Sequence, residues 1–160
     1  MSGDDKQFME QIVCEGDIGY LAFTSDEPYV IPLNYAYCNG RILFHCALEG
    51  RKLDLIRAHP TVCMAVARQE GHPTPHAGDA CDNPFESVLC WGTARVIDDL
   101  DERQTILNEF QVRYDTPDHK REPISRERTE KCGAVEIVVT RMTGRKVGGK
   151  AKVRWEWEEE

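Results

Sequence analysis

Apolar residues recur at every second position, or in short unbroken runs, through most of this chain, and at helical three- and four-residue spacing in only a few places. Residues 18–24, 29–37 and 41–47, rich in Val, Ile, Tyr and Phe, predict three strands. Ser25-Asp26-Glu27-Pro28 and Cys38-Asn39-Gly40 separate them, and Asn-Gly accepts the positive φ of a tight hairpin at little cost, so the strands should pair antiparallel. Residues 49–58 predict a short helix, with Leu53 and Ile56 on one face and His59-Pro60 ending it. Strands follow at 61–68 and 87–98, separated by an excursion over 71–85 that Pro73, Pro75, Gly78 and Pro84 make too irregular for either period. Residues 99–114 read as an amphipathic helix, with an acidic first turn and an apolar stripe of Ile106, Leu107, Phe110 and Tyr114. A helical turn or two is expected over 125–131, and then a strand over 132–141, where Val135, Ile137 and Val139 alternate with Ala134, Glu136 and Val138. Antiparallel strands interrupted by a few helices predict a mainly β fold, a small barrel whose closure removes open sheet edges.

Composition narrows the picture. The chain has 160 residues, 41% of them hydrophobic, enough for one domain and one core. We expect a domain over 1–147 and a C-terminal tail over 148–160. A net charge of −8 opposes nucleic-acid or anionic-membrane partners, which need a basic surface, so any anion site must be local. The first residues contain Asp4, Asp5 and Glu10 and no apolar run like a signal-peptide core, and no segment reaches the length of a membrane span, so a cytoplasmic protein is expected. Seven cysteines without close pairing (Cys14, Cys38, Cys46, Cys63, Cys81, Cys90 and Cys132) fit reduced thiols in a reducing compartment.

The most informative stretch is Phe44-His45-Cys46-Ala47-Leu48-Glu49-Gly50-Arg51-Lys52, where a strand gives way to a helix that opens on two cations. Unpaired N–H groups and the helix dipole favour an anion there, and arginine can grip phosphate oxygens bidentately. The plainer alternative is that Arg51 and Lys52 are solvated side chains on an exposed helix. Upstream, Pro32 interrupts a strand and cannot donate a ladder hydrogen bond, which marks an edge or a bulge against which a flat ligand could lie. Asn34 offers both a donor and an acceptor beside it. Protection of an edge explains Pro32 equally well.

Taken in order, Pro32-Leu33-Asn34-Tyr35, Phe44-His45-Cys46-Ala47 and Glu49-Gly50-Arg51-Lys52 resemble the nitroimidazole-resistance branch of the flavoproteins related to pyridoxamine 5′-phosphate oxidase. The likeness continues through His59-Pro60-Thr61-Val62-Cys63, Ala80-Cys81-Asp82, Ser87-Val88, Gly92-Thr93-Ala94 and Met142-Thr143-Gly144-Arg145-Lys146. It implies a six-stranded antiparallel split barrel, a homodimer with FMN in shared clefts, and a small-molecule substrate. By the same resemblance Arg51 and Lys52 would hold the FMN phosphate, with Gly50 and Ala47 close by. Pro32, Leu33, Asn34 and His45 would line the flavin, and Trp91, Thr143 and Arg145 would come from the second subunit. The implied activity is transfer of hydride or electrons through FMN to a small acceptor such as a nitroaromatic. A non-catalytic flavin- or haem-binding protein is the alternative, because members of this fold also bind haem or a deazaflavin. His45 is the candidate for direct chemistry, although a strand histidine more often serves packing.

His72, His76 and Cys81, with Asp79 and Asp82 nearby, include competent zinc ligands, but their spacing matches no strong metal motif and no metal is expected. Cys81 could instead lie near the mouth of a flavin site. The end of the chain concentrates Arg141, Arg145, Lys146, Lys150, Lys152 and Arg154 before an acidic terminus. A mobile arm reaching over a partner subunit fits this pattern better than a nucleic-acid contact does.

Overall fold

Asn39 and Gly40 take φ values of 50° and 78°, the left-handed pair that a two-residue hairpin requires. They join β3 (Ala36–Cys38) to β4 (Arg41–Cys46), and a second hairpin joins β1 (Gly19–Phe23) to β2 (Tyr29–Leu33). The computed structural model describes residues 3–69, 84–148 and 151–159. The remaining elements are α1 (Gly3–Glu15), α2 (Arg51–Ala58), β5 (Thr61–Arg68), β6 (Phe85–Val96), α3 (Leu100–Val112), α4 (Arg126–Glu130), β7 (Gly133–Gly148) and β8 (Ala151–Glu158). The excursion and the residues considered for zinc (His72, His76, Asp79, Cys81 and Asp82) lie outside the described residues.

All strand pairings are antiparallel, in the order β2-β1-β5-β6-β7-β4-β3, with β8 also on β7. β2 and β3 stand at opposite ends of that order, yet only Asn34 and Tyr35 separate them in the chain. The sheet therefore curls until its ends meet, giving the split barrel the sequence leads one to expect. It has eight strands rather than six. One extra strand arises because the stretch expected as a single strand over 29–37 breaks after Pro32-Leu33 and changes neighbours. The other is β8, which the expected mobile arm becomes: Ala151–Glu158 lies along β7 of its own chain, Arg145 opposite Arg154 and Met142 opposite Trp157.

Inside the curl, Leu21, Phe44, Met64, Val66, Val88, Ile137 and Met142 form the main core. Helix α1, which the periodicity did not announce, adds Met9, Ile12 and Val13 to it. Burying each such side chain contributes about 1.5–3 kcal/mol. Tyr35 is fully buried and donates its hydroxyl proton to the Val13 carbonyl, fastening α1 to the link between the sheet's two ends.

Where β6 meets β7, Trp91 faces Arg141 but Gly92 faces Val139, so Thr140 is an extra residue and a bulge. Gly92 is required there, because a Cβ on it would lie 2.2 Å from the Val138 carbonyl oxygen. The bulge resets the alternation, so Val139 and Met142 both point into the core.

Helix α3 starts at Asp99, whose carboxylate accepts the Glu102 N–H at 2.8 Å. Its Ile106, Leu107 and Phe110 pack with Ala36, Leu43 and Ala134 on the outside of β3, β4 and β7. This second core makes β7 buried on both faces, so the half-polar alternation expected over 132–141 gives way to Ala134, Val135, Glu136 and Ile137 all buried. Buried Glu136 is accommodated by Arg41 at 2.9 Å and Arg95 at 2.7 Å, which also reach Glu109 and Glu102 on α3.

Candidate functional site

Strand β4 ends at Cys46, and the chain enters α2 through Gly50, whose φ is 133°. Nothing lies within 4 Å of where a Cβ on Gly50 would be, so backbone conformation rather than crowding calls for glycine there. The Leu53 and Asp54 N–H groups donate to the Gly50 carbonyl at 2.9 and 3.3 Å, and no side chain caps the helix start. Arg51 opens α2 and donates to Glu27 at 3.0 Å, with its guanidinium 4.6 Å from the centre of the Tyr29 ring. The Arg51 and Glu27 side chains are 51% and 77% exposed, and such pairs contribute about 0–1 kcal/mol, so Glu27 holds Arg51 only weakly. Lys52 follows, half-buried, with no carboxylate partner among the described residues. Gly50, Arg51 and Lys52 lead into and open α2, with Ala47 in the preceding loop. The carboxylate on Arg51 was not anticipated.

Pro32, Trp91, Thr143 and Arg145 share the outer face of the sheet. One row of cross-strand neighbours runs Pro32, Tyr20, Ala65, Leu89, Thr143, Glu156, and the next runs Val30, Ala22, Cys63, Trp91, Arg141, Glu158. Tyr20, Val30 and Leu89 are 50%, 56% and 37% exposed, an apolar strip with no helix over it among the described residues. Trp91 stacks under the Arg141 guanidinium at 3.9 Å. Arg145 lines a groove with Ser87, Leu89, Thr143, Arg154 and Trp155. Thr143 lies four strands from Pro32, roughly 19 Å along the curved outer face at about 4.8 Å per step, so the two stand on different parts of that face. Tyr20, Ala65 and Leu89 lie on the same strip, although the sequence reading did not single them out. For Tyr20 and Ala65 a signal was present, because β1 and β5 are apolar at outward as well as inward positions.

Leu33 departs from Pro32, since it points inward and packs against the main core. Asn34 is exposed at the link between β2 and β3. His45 projects from β4 on the side of Leu43, away from the barrel interior, with its ring edge-on to Phe110 at 5.1 Å. Burial pushes its pKa below the usual histidine value, and the nearby Lys52 and Arg128 charges lower it further. His45 is therefore neutral near pH 7, electrostatically coupled to Lys52 but set on the α3 side of the strand.

The family model described as pyridoxamine 5′-phosphate oxidase matches residues 5–146. The chain belongs to the pyridoxamine 5′-phosphate oxidase family. A solved structure of similar shape, a candidate 5-nitroimidazole antibiotic resistance protein from Bacteroides thetaiotaomicron VPI-5482, is 26% identical with a TM-score of 0.76. That match covers 97% of this chain and 89% of the other. An FAD and heme binding protein from Mycobacterium smegmatis shares the fold at 12% identity and a TM-score of 0.75, over 95% of this chain and 82% of that one. An uncharacterized protein of Rhizobium meliloti (strain 1021) is 35% identical over 57 residues, 35% of this chain and 37% of that relative. The chain thus spans little more than a third of the curated relative it matches. Strand β8 lies beyond the family match.

Proposed function

We propose that this family member binds FMN in clefts shared by two copies of the chain, and that it is a cytoplasmic oxidoreductase acting on a small acceptor such as a nitroaromatic. The observation that carries the reading is the β4–α2 junction, where a glycine-led helix start presents Arg51 and Lys52 next to β2, the edge of a sheet face whose apolar residues are exposed among the described residues. These groups suit a phosphate: a fork of donors, a point charge and first-turn N–H groups. Asn34 would meet the polar edge of the ring, and Pro32 and Tyr20 would give an apolar wall that keeps water from it. Trp91, Thr143 and Arg145 would close the cleft from the second copy, in keeping with their separation from Pro32. A bound flavin supplies hydride and electron transfer, so no protein nucleophile is needed. Neutral His45 can hold or accept a proton at one ring nitrogen near the Lys52 end. The six described cysteines are free, in keeping with a reducing compartment.

Arg51→Ala tests the reading. Charge-assisted hydrogen bonds contribute about 1.5–3 kcal/mol, so FMN affinity should fall by about tenfold to more than a hundredfold while riboflavin, which lacks the phosphate, binds as before. Equal loss for both ligands, or no loss for FMN, refutes the phosphate assignment. Sedimentation should give twice 18.3 kDa. A second reading, a non-catalytic flavin- or haem-binding protein, draws on the likeness to the Mycobacterium smegmatis protein. The absorption spectrum of the purified protein, and turnover with a reduced nicotinamide, separate the two.

A further inference from the structure

Among the described residues β2, β3 and β8 each keep one side open. β2 carries Pro32, which cannot donate to a neighbouring strand, and β3 is only three residues long, and both features discourage pairing with another chain. β8 has neither protection. Its eight residues include no proline and follow β7 without a register shift. The Glu159 N–H donates to the Thr140 carbonyl at 2.8 Å, and antiparallel ladders bond alternate residues, so Trp157, Trp155 and Val153 are the ones bonded to β7. The backbone N–H and C=O groups of Arg154 and Glu156 therefore point to the open side. Their side chains lie on the outer face, exposed and without an ion pair among the described residues, while Trp155 packs on Phe8 of α1 and Trp157 lies under Lys6. Arg145 stands opposite Arg154, so like charges meet at the middle of this edge.

We propose that β8 pairs antiparallel with β8 of a second copy about a two-fold axis at Trp155, with Arg154 of each copy opposite Glu156 of the other. Each such pair exchanges backbone hydrogen bonds through the groups that face the open side, and opposite charges directly across an antiparallel pair are stabilising. Charge also selects the register. A slide of two residues one way sets Arg154 against its own copy, and the other way sets Glu156 against its own copy. A slide of one residue matches outward-pointing backbone groups with groups already bonded to β7 and puts side chains on the wrong face. In the matched register Arg145, Arg154 and Glu156 of the second copy stand in one row, so the like-charged pair gains a carboxylate. β8 lies outside the family match, and the contact involves none of the residues assigned to the flavin. It is narrow, with a charged outer face, which makes it a weak contact that joins shared-cleft pairs at high concentration and does not replace them. The inference goes beyond the flavin reading and does not depend on it.

Sedimentation of the full chain from about 0.01 to about 1 mM is the measurement, a range that spans weak affinities. The mass should rise toward twice its low-concentration value. That rise is read whether one copy or two sediments at the low end, so this outcome and that of the shared-cleft reading are scored separately. Over the same range, amide hydrogen exchange at Arg154 and Glu156 should slow. Arg154→Glu and Glu156→Arg should each weaken the association by about tenfold or more, because each sets like charges opposite one another. An equimolar mixture of the two variants should restore it, since each then meets the opposite charge in the other, and this rescue also shows that both variants fold. The proposal falls if the mass stays constant, if either variant alone associates like wild type, if the mixture fails to associate, or if exchange at the two amides does not change with concentration.

Discussion

The two outer sides of this barrel obey the same alternation of inward and outward side chains but end differently. On the side of β4 and the first half of β7, the outward residues Leu43 and Ala134 are covered by α3, and Arg41 and Arg95 each hold two carboxylates. On the side of β2, β1, β5 and β6, the outward residues Tyr20, Val30 and Leu89 remain exposed. At the margin of that side Arg145 stands directly opposite Arg154, a like-charge pairing that costs stability across a sheet. Where the chain supplies its own cover, apolar surface and charge are both satisfied internally. Where the described residues supply none, both are left for something else, and a second copy with a phosphate-bearing ligand would answer both.

The contrast can be broken most directly by paired substitutions. Leu107→Ala, on the covered side, should lower the unfolding free energy by about 2–5 kcal/mol in denaturant titrations. Leu89→Asp, on the uncovered side, should leave the circular dichroism of the fold intact and instead halve the mass in sedimentation. A Leu89→Asp chain that unfolds, or one that stays paired, would show that the two sides do not differ as described.

A smaller effect separates the sides by pH. Burial alone would raise the Glu136 pKa, but hydrogen bonds from Arg41 and Arg95 outweigh it and hold the carboxyl below its usual 4.5. The stability it contributes is therefore present above that value and lost as pH falls through the depressed one. Glu136→Gln should be less stable than wild type at pH 7 and lose less on acidification, as read from thermal midpoints between pH 7 and pH 3. Equal acid slopes would remove Glu136 from the account. Smallest of all, Glu27→Ala should free Arg51 and tighten FMN binding by at most about fivefold, the worth of an exposed ion pair. Weaker FMN binding would mean that Glu27 positions Arg51 rather than competing for it.

Much of this was legible in the residues. Asn39-Gly40 announced its hairpin, Asp99 and Ser125 sit at the starts of α3 and α4, and Gly50-Arg51-Lys52 marked the helix that the structure begins there. Helix α1 was not legible, because its short apolar set, Met9, Ile12 and Val13, shows its purpose only against a barrel end that is already formed. Strand β8 was hidden because its alternation of Trp155 and Trp157 with Arg154, Glu156 and Glu158 reads as charge patterning until Trp155 is seen against Phe8, with ring centres 4.7 Å apart. The break between β2 and β3 depends on neighbours distant in sequence. His45 was read by its company in the motif, and the strand's alternation turned it toward α3.

Closure through Asn34 and Tyr35 also constrains how the molecule assembles. The β1–β2 and β3–β4 hairpins are local and can form within microseconds, but neither can take its final place until β5, β6 and β7 lie between them. The pairing that closes the ring joins Arg41 to Val138, among the most distant partners in the chain, so the entropy of loop closure falls due before its contacts repay it. Folding should accordingly be slow, in the millisecond-to-second range of domains dominated by non-local strand pairs. Tyr35, packed where the two ends meet, would then gain its native contacts only after the transition state has been crossed. Its loss would be felt as faster unfolding far more than as slower folding, making this short link a latch on the lifetime of the native state.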